Sequence, residues 1–185
     1  MKFKDVNGDG KITDLDRVRL DKNRDPTFTG GINLDVRYKN FDLTVLFQGA
    51  KGGLLLENVY ETGDFGNYPL SYYQNRWSVD NPSSVHPRLA NRGDTYYTNN
   101  GQNFGSNTYW LRSNNYFRLK NVEIGYNLGT NISKRVGISR FRIYANAFNL
   151  VTWDKWKIWD PESISSSGQY YPQSRIINTG VRVTF

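Results

Sequence analysis

The sequence predicts an all-β chain, an antiparallel transmembrane β-barrel segment of about five strands with long loops at one end. Five runs of residues alternate apolar and polar side chains with a period of two. The links between these runs are short and long in turn. No apolar stretch approaches the roughly 18 residues that a membrane-crossing helix requires. The longest are fragments such as Leu54-Leu55-Leu56, in a chain whose mean hydropathy is negative although 15% of it is aromatic. A barrel reconciles these facts, because its strands present apolar residues to lipid and polar ones to the lumen, and the average comes out hydrophilic.

The first run, Phe28 to Tyr38, sets Phe28, Ile32, Leu34, Val36 and Tyr38 against Thr29, Asn33, Asp35 and Arg37. After Lys39-Asn40, a hairpin-length link, the second run sets Phe41, Leu43, Val45 and Phe47 against Asp42, Thr44 and Gln48. The third, Asn115 to Leu128, changes phase near Lys120-Asn121: Phe117 and Leu119 share one phase, and Val122, Ile124, Tyr126 and Leu128 the other. One extra residue, a β-bulge, produces such a slip. The fourth run, Ser139 to Leu150, sets Phe141, Ile143, Ala145 and Ala147 against Arg142, Tyr144, Asn146 and Phe148. The fifth, Arg175 to Phe185, has Ile177, Val181, Val183 and Phe185 in phase, with Asn178, Arg182 and Thr184 opposite.

Two links are short, Lys39-Asn40 and about Gly129 to Gly137, and two are long, about Lys51 to Ser113 and Val151 to Ser174. Antiparallel order sends alternate links to opposite ends of the sheet, so all the long ones fall at one end. Outer-membrane barrels have this asymmetry, with short periplasmic turns and long extracellular loops. It divides the chain into an extracellular segment 1–27 and barrel strands with their loops over 28–185, with Phe185 at the periplasmic rim. The five strands leave both sheet edges open, and lipid cannot satisfy a strand edge, so further strands must pair with them. A soluble antiparallel sheet packed on one face shows the same period; strand lengths near the 9 to 11 residues of a tilted span favour the membrane.

Composition excludes several classes. The net charge is +7, but the basic residues are scattered singly, without the stripe or cluster of a nucleic-acid surface. Cysteine is absent, which removes disulfides and thiolate chemistry. Met1-Lys2-Phe3-Lys4-Asp5 has neither the apolar core nor the cleavage site of a secretory signal, so export depends on sequence elsewhere. His86, the single histidine, has no nucleophile partner nearby. Asp160 and Glu162 are two carboxylates without the opposed geometry that glycoside hydrolysis needs. The chain is expected not to be an enzyme.

The clearest chemical motif runs from Asp5 to Asp16. As an EF-hand-type loop it places Asp5, Asn7 and Asp9 at positions 1, 3 and 5, Gly10 at the turn, the Lys11 carbonyl at 7 and Asp16 at 12. Such hard oxygen donors suit Ca²⁺. An aspartate at the closing position is shorter than the usual glutamate, which weakens binding or admits Mg²⁺. With no room for a full preceding helix, the motif is dockerin-like rather than a sensor EF-hand. A metal-free Asp/Asn/Gly turn is the plain alternative.

The long link from Lys51 to Ser113 is rich in aromatic residues, among them Tyr72, Tyr73, Trp77, Tyr96, Tyr97 and Trp110. Their rings could stack on a sugar or a partner protein; self-packing of the loop and an interfacial girdle are the alternative.

Several short motifs, in order, resemble the late-barrel sequence of the SusC/RagA family. They are Asp5-Val6-Asn7-Gly8-Asp9-Gly10-Lys11-Ile12, Asp25-Pro26-Thr27-Phe28, Tyr38-Lys39-Asn40-Phe41-Asp42-Leu43, Phe47-Gln48-Gly49, Tyr116-Phe117-Arg118-Leu119-Lys120-Asn121-Val122, Asn149-Leu150, Trp159-Asp160-Pro161-Glu162 and Tyr171-Pro172. The resemblance implies the C-terminal strands of a TonB-dependent barrel of roughly 22 strands with a plugged lumen, multi-pass in the bacterial outer membrane. It also implies a SusD-like surface lipoprotein as partner, TonB acting through a plug outside this sequence, and oligosaccharides or peptides as cargo. Val183-Thr184-Phe185 resembles the terminal aromatic signal of outer-membrane barrels, making Phe185 the expected assembly signal. A secreted calcium-dependent carbohydrate-binding β-sandwich module would also combine strands, aromatics and a calcium loop, and stands as the alternative.

Overall fold

The computed structural model describes residues 3–57, 70–83, 85–89, 107–129, 137–163, 171 and 173–185. Its main element is a five-stranded antiparallel sheet built from β1 (Phe28–Tyr38), β2 (Phe41–Lys51), β5 (Tyr116–Asn127), β6 (Arg140–Asp154) and β7 (Ile176–Thr184), in the order β1-β2-β5-β6-β7. The two smaller strands, β3 (Leu54–Leu56) and β4 (Leu111–Ser113), pair with each other. A six-residue helix, α1 (Leu70–Asn75), and two single-turn 3-10 helices, Asp14–Asp16 and Thr108–Trp110, complete the described elements.

The tight β1–β2 link forms as expected, with Tyr38 opposite Phe41 and Lys39 left-handed at φ 53. The bulge also forms. Leu46 pairs with Asn121 and Phe47 with Leu119, which leaves Lys120 as the extra residue on β5. Two details depart from the sequence reading. β6 does not end at Leu150 but continues to Asp154, so Val151 to Asp154 are strand and not loop. The reason is a matching irregularity on β6. Asn121 pairs with Phe148 and Leu119 with Val151, so Asn149 and Leu150 are skipped, Asn149 turns left-handed at φ 51, and pairing resumes beyond. The link from Lys51 to Ser113 is not structureless either, since it contains β3, α1 and β4, and Lys51 itself closes β2.

Register carries the two faces across the whole sheet. One row reads Leu34, Val45, Val122, Ala147 and Ile177; the next residue along each strand gives Asp35, Thr44, Glu123, Asn146 and Asn178. An apolar row thus alternates with a polar row on the opposite face, as the pleat requires.

The chain divides into two compact units. One comprises Met1–Asn23, Leu54–Arg112 and Ile164–Tyr170; the other comprises Arg24–Gly53, Ser113–Ser163 and Tyr171–Phe185 and contains the five-stranded sheet. The first unit has a small core of Leu55, Tyr72 and Trp110 around the Glu57 carboxylate.

Candidate functional site: a polar wall with an apolar back

A soluble sheet hides its apolar face; here that face is uncovered. Leu34, Val36, Ile124, Ile143, Ile177 and Val181 are all about half exposed or more, with no described element covering them. The polar face is the organised one. Thr44 Oγ1 donates to Asp35 at 2.7 Å, Asn33 Nδ2 donates to Asp35 at 2.6 Å, and Asn178 Nδ2 donates to Asn146 at 3.1 Å. Arg142 bridges Asp42 and Glu123, with Nε 3.2 Å from one Asp42 oxygen and a terminal nitrogen 2.8 Å from Glu123, while Asn127 Nδ2 donates to Asp42 at 2.8 Å.

Aromatic rings mark both ends of the apolar face. Phe47 and Phe117 stack with centroids 5.2 Å apart, Phe117 lies 5.9 Å from Trp153, and at the other end Phe41 meets Tyr126 at 4.8 Å. Phe117 and Tyr126 are nine residues apart along β5, about 30 Å at roughly 3.4 Å per residue. A strand tilt of about 40° reduces this to about 23 Å, close to the apolar band of about 25 Å between the girdles of an outer-membrane barrel.

At its Asp160-Pro161-Glu162 turn, the segment after β6 meets the polar face. Arg118, whose side chain is 1% exposed, donates from one terminal nitrogen to both Asp160 oxygens at 2.8 Å, from the other to Glu162, and from Nε to Thr152 at 2.9 Å. Glu162 also accepts from Tyr116 at 2.9 Å, Lys120 at 3.2 Å and Gln48 at 3.4 Å. The family-like motifs contain Arg118, Asp160 and Glu162, but their order in the sequence does not show them as partners.

In the Asp5 to Asp16 segment the acidic side chains fold inward on the loop's own backbone. Asp5 accepts from Gly8 N at 2.6 Å and Gly10 N at 2.8 Å, and both glycines are left-handed, at φ 78 and 79. Asn7 accepts from Asp9 N, and Asp9 from Lys11 N. Asp16 accepts from Val6 N and Thr13 N, each at 2.7 Å, and Thr13 caps the short helix in return. These backbone hydrogen bonds, Thr13 first and then Val6, hold the Asp16 carboxyl below its ordinary value. Among the described residues, however, no group of three or more Asp, Glu, His or Cys side chains is gathered into a finished cage.

The expected contact aromatics divide. Tyr72 and Trp110 are buried, 5.6 Å apart, in the first unit. Tyr72 donates to Glu57 at 2.5 Å, Arg112 Nε lies 2.9 Å from the same Glu57 oxygen, and burial followed by Glu57 raises the Tyr72 phenol above the usual tyrosine range. These two rings pack within the loop itself. Tyr73 and Trp77 are exposed, with the Arg76 guanidinium over the Tyr73 ring at 3.9 Å. Tyr96 and Tyr97 lie outside the described residues. His86 Nδ1 is 2.9 Å from the Tyr109 hydroxyl. Phe185 follows β7 and is 90% exposed.

No family model matches the chain. It is 32% identical over 162 residues to TonB-dependent receptor P3 of Formosa agariphila, an alignment covering 87% of this chain and 15% of that protein. It is 29% identical over 202 residues to TonB-dependent receptor P26 of the same organism, covering 100% of this chain and 19% of the relative. Among solved structures, the RagAB peptide importer in its "open-open" state matches with a TM-score of 0.69 and 27% identity, over 95% of this chain and 19% of the other. The chain is a SusC/RagA-like segment of a TonB-dependent barrel. Its place is the bacterial outer membrane. The chain therefore spans 15% and 19% of the two curated relatives it matches. Those relatives are receptors and the RagAB structure is an importer, which bears out the expectation that His86 and the Asp160 and Glu162 pair are not catalytic. The carbohydrate-binding sandwich is likewise not favoured.

Proposed function

We propose that this SusC/RagA-like segment forms part of the wall of a barrel that imports peptides or oligosaccharides across the outer membrane, driven by TonB and capped by a SusD-like lipoprotein. The observation that carries the reading is the uncovered apolar face of the sheet, bounded by two aromatic girdles and backed by a hydrogen-bonded polar face. Its matches among TonB-dependent receptors and a peptide importer support the energy source and a lipoprotein partner. The test is uptake of labelled peptide and oligosaccharide pools by cells expressing the whole transporter, with and without TonB. TonB-dependent uptake of either pool, lost on deleting the transporter, is the expected outcome; uptake indifferent to TonB would defeat the reading.

A second reading concerns the loop alone. Asp5, Asn7, Asp9, Asp16 and the Lys11 carbonyl would hold one Ca²⁺, or Mg²⁺ more weakly, as a structural pin, with oxygen distances of about 2.3 to 2.6 Å for calcium. The spacing of these oxygen-bearing residues and the left-handed Gly10 at the turn position support it. Terbium luminescence sensitised in the transporter, displaced by calcium and abolished by Asp5→Ala with Asp9→Ala, is expected. A signal unchanged in that variant would place any bound ion elsewhere.

A further inference from the structure

Among the described residues Arg118 is the most deeply buried charge of the sheet unit, and its environment is complete. Its side chain is 1% exposed, yet every guanidinium nitrogen has an acceptor, on Thr152, Asp160 and Glu162. With Lys120 on Glu162, two cations face two carboxylates. Removing one member from such a cluster leaves an uncompensated buried charge, which is far more costly than loss of a surface pair. The turn is fixed from its own side too. Pro161 is buried, Glu162 N donates to Asp160 at 2.9 Å, and Trp156, earlier in the same segment, is 4% exposed. On β5 the anchor points Tyr116, Arg118 and Lys120 fall on alternate residues, so all three reach the polar face.

We propose that Arg118 is a positioning residue that straps the Asp160-Pro161-Glu162 turn to the polar wall, so that the stretch from Lys155 to Ser163 is a fixed part of the channel lining and not a moving gate. The proposal rests on the transporter reading for the word channel, but the strap itself is a property of the sheet unit.

The test uses the whole transporter in outer membranes. This chain contains no cysteine, so paired labels at Gln173→Cys and Ser163→Cys need no cysteine removed within it. A third label at Thr44→Cys on the wall gives the distance from strap to sheet by spin-label spectroscopy. One narrow distance distribution, unchanged by substrate, is expected in the otherwise native protein. Broadening by several-fold is expected in Arg118→Met, and in Asp160→Asn with Glu162→Gln should Arg118→Met fail to assemble. In the same membranes, bridging Gln48→Cys to Ser163→Cys with a short bifunctional thiol reagent, which leaves Arg118, Asp160 and Glu162 in place, should leave the uptake rate within about twofold of the unbridged protein. A distribution that shifts with substrate, a narrow one in the neutralised variants, or uptake stopped by bridging would each overturn the strap. If uptake is absent even in the unmodified transporter, the transport reading fails while the distance measurement still reports on the strap.

Discussion

The guanidinium of Arg142 occupies the space that a side chain at Gly125 would need. A Cβ built on Gly125 would sit 2.3 Å from an Arg142 terminal nitrogen and 2.5 Å from Asp42 Oδ2. On the next strand pair Tyr144 lies on Gly180 in the same way, 2.6 Å from where its Cβ would be. The glycines are bare patches of wall on which the polar side chains lie flat.

Gly125→Ala should therefore destabilise the barrel by about 1–3 kcal/mol, the usual cost of forcing extra volume into a packed site. The neighbour that must move is a long side chain, but Asp42 and Glu123 hold its end. The measurement is the temperature at which the folded barrel loses its anomalous gel mobility. An unchanged temperature would mean that Arg142 moves aside freely.

Opposite faces should respond differently to charge. Val45 belongs to the apolar row and Thr44 to the polar row, beside Asp35. Val45→Arg puts a cation in hydrocarbon, at a cost of roughly 2–4 kcal/mol near the midplane, whereas Thr44→Arg gains a carboxylate neighbour. The fraction of protein assembled into outer membranes should fall sharply for the first and little for the second. Equal assembly would count against the assignment of faces.

Trp153 should report the membrane interface. It is 50% exposed and lies against Phe117, which stacks on Phe47. Lipids brominated near the headgroup should quench the emission lost in Trp153→Phe, and lipids brominated near the chain terminus should quench it much less. Stronger quenching by the deep label would move the ring out of the girdle.

Acid should loosen the Asp5 to Asp16 loop. Because the folded-state pKa of Asp16 lies below the ordinary 3.8, its contribution is fully present above that value and is lost as pH falls through the lower folded value. Amide exchange at Val6 and Thr13, the two principal donors to Asp16, should speed up beyond the intrinsic trend only below about pH 3.8. Asp16→Asn should remove that pH step. A step centred well above it would assign the transition to another group.

What the sequence determined by itself was local and periodic. Alternation at Leu34, Val36, Leu43 and Val45 determined which side chains share a face, because the pleat has a period of two whatever lies around it. The phase change at Lys120 located the bulge, since one inserted residue reverses every later side chain. The spacing of Asp5, Asn7, Asp9 and Asp16 marked the loop, whose hydrogen bonds span at most ten residues. The tertiary structure decided the rest. Nothing in the order of residues says that Arg118 meets Asp160 across 42 positions, that Tyr72 turns inward to Glu57, or that Val151 to Asp154 stay in the sheet once Asn149 and Leu150 have been skipped. Each of these depends on which distant backbone supplies the partner. A buried charge, a phenol or a strand end takes its place only when the chain has folded far enough to bring that partner within reach.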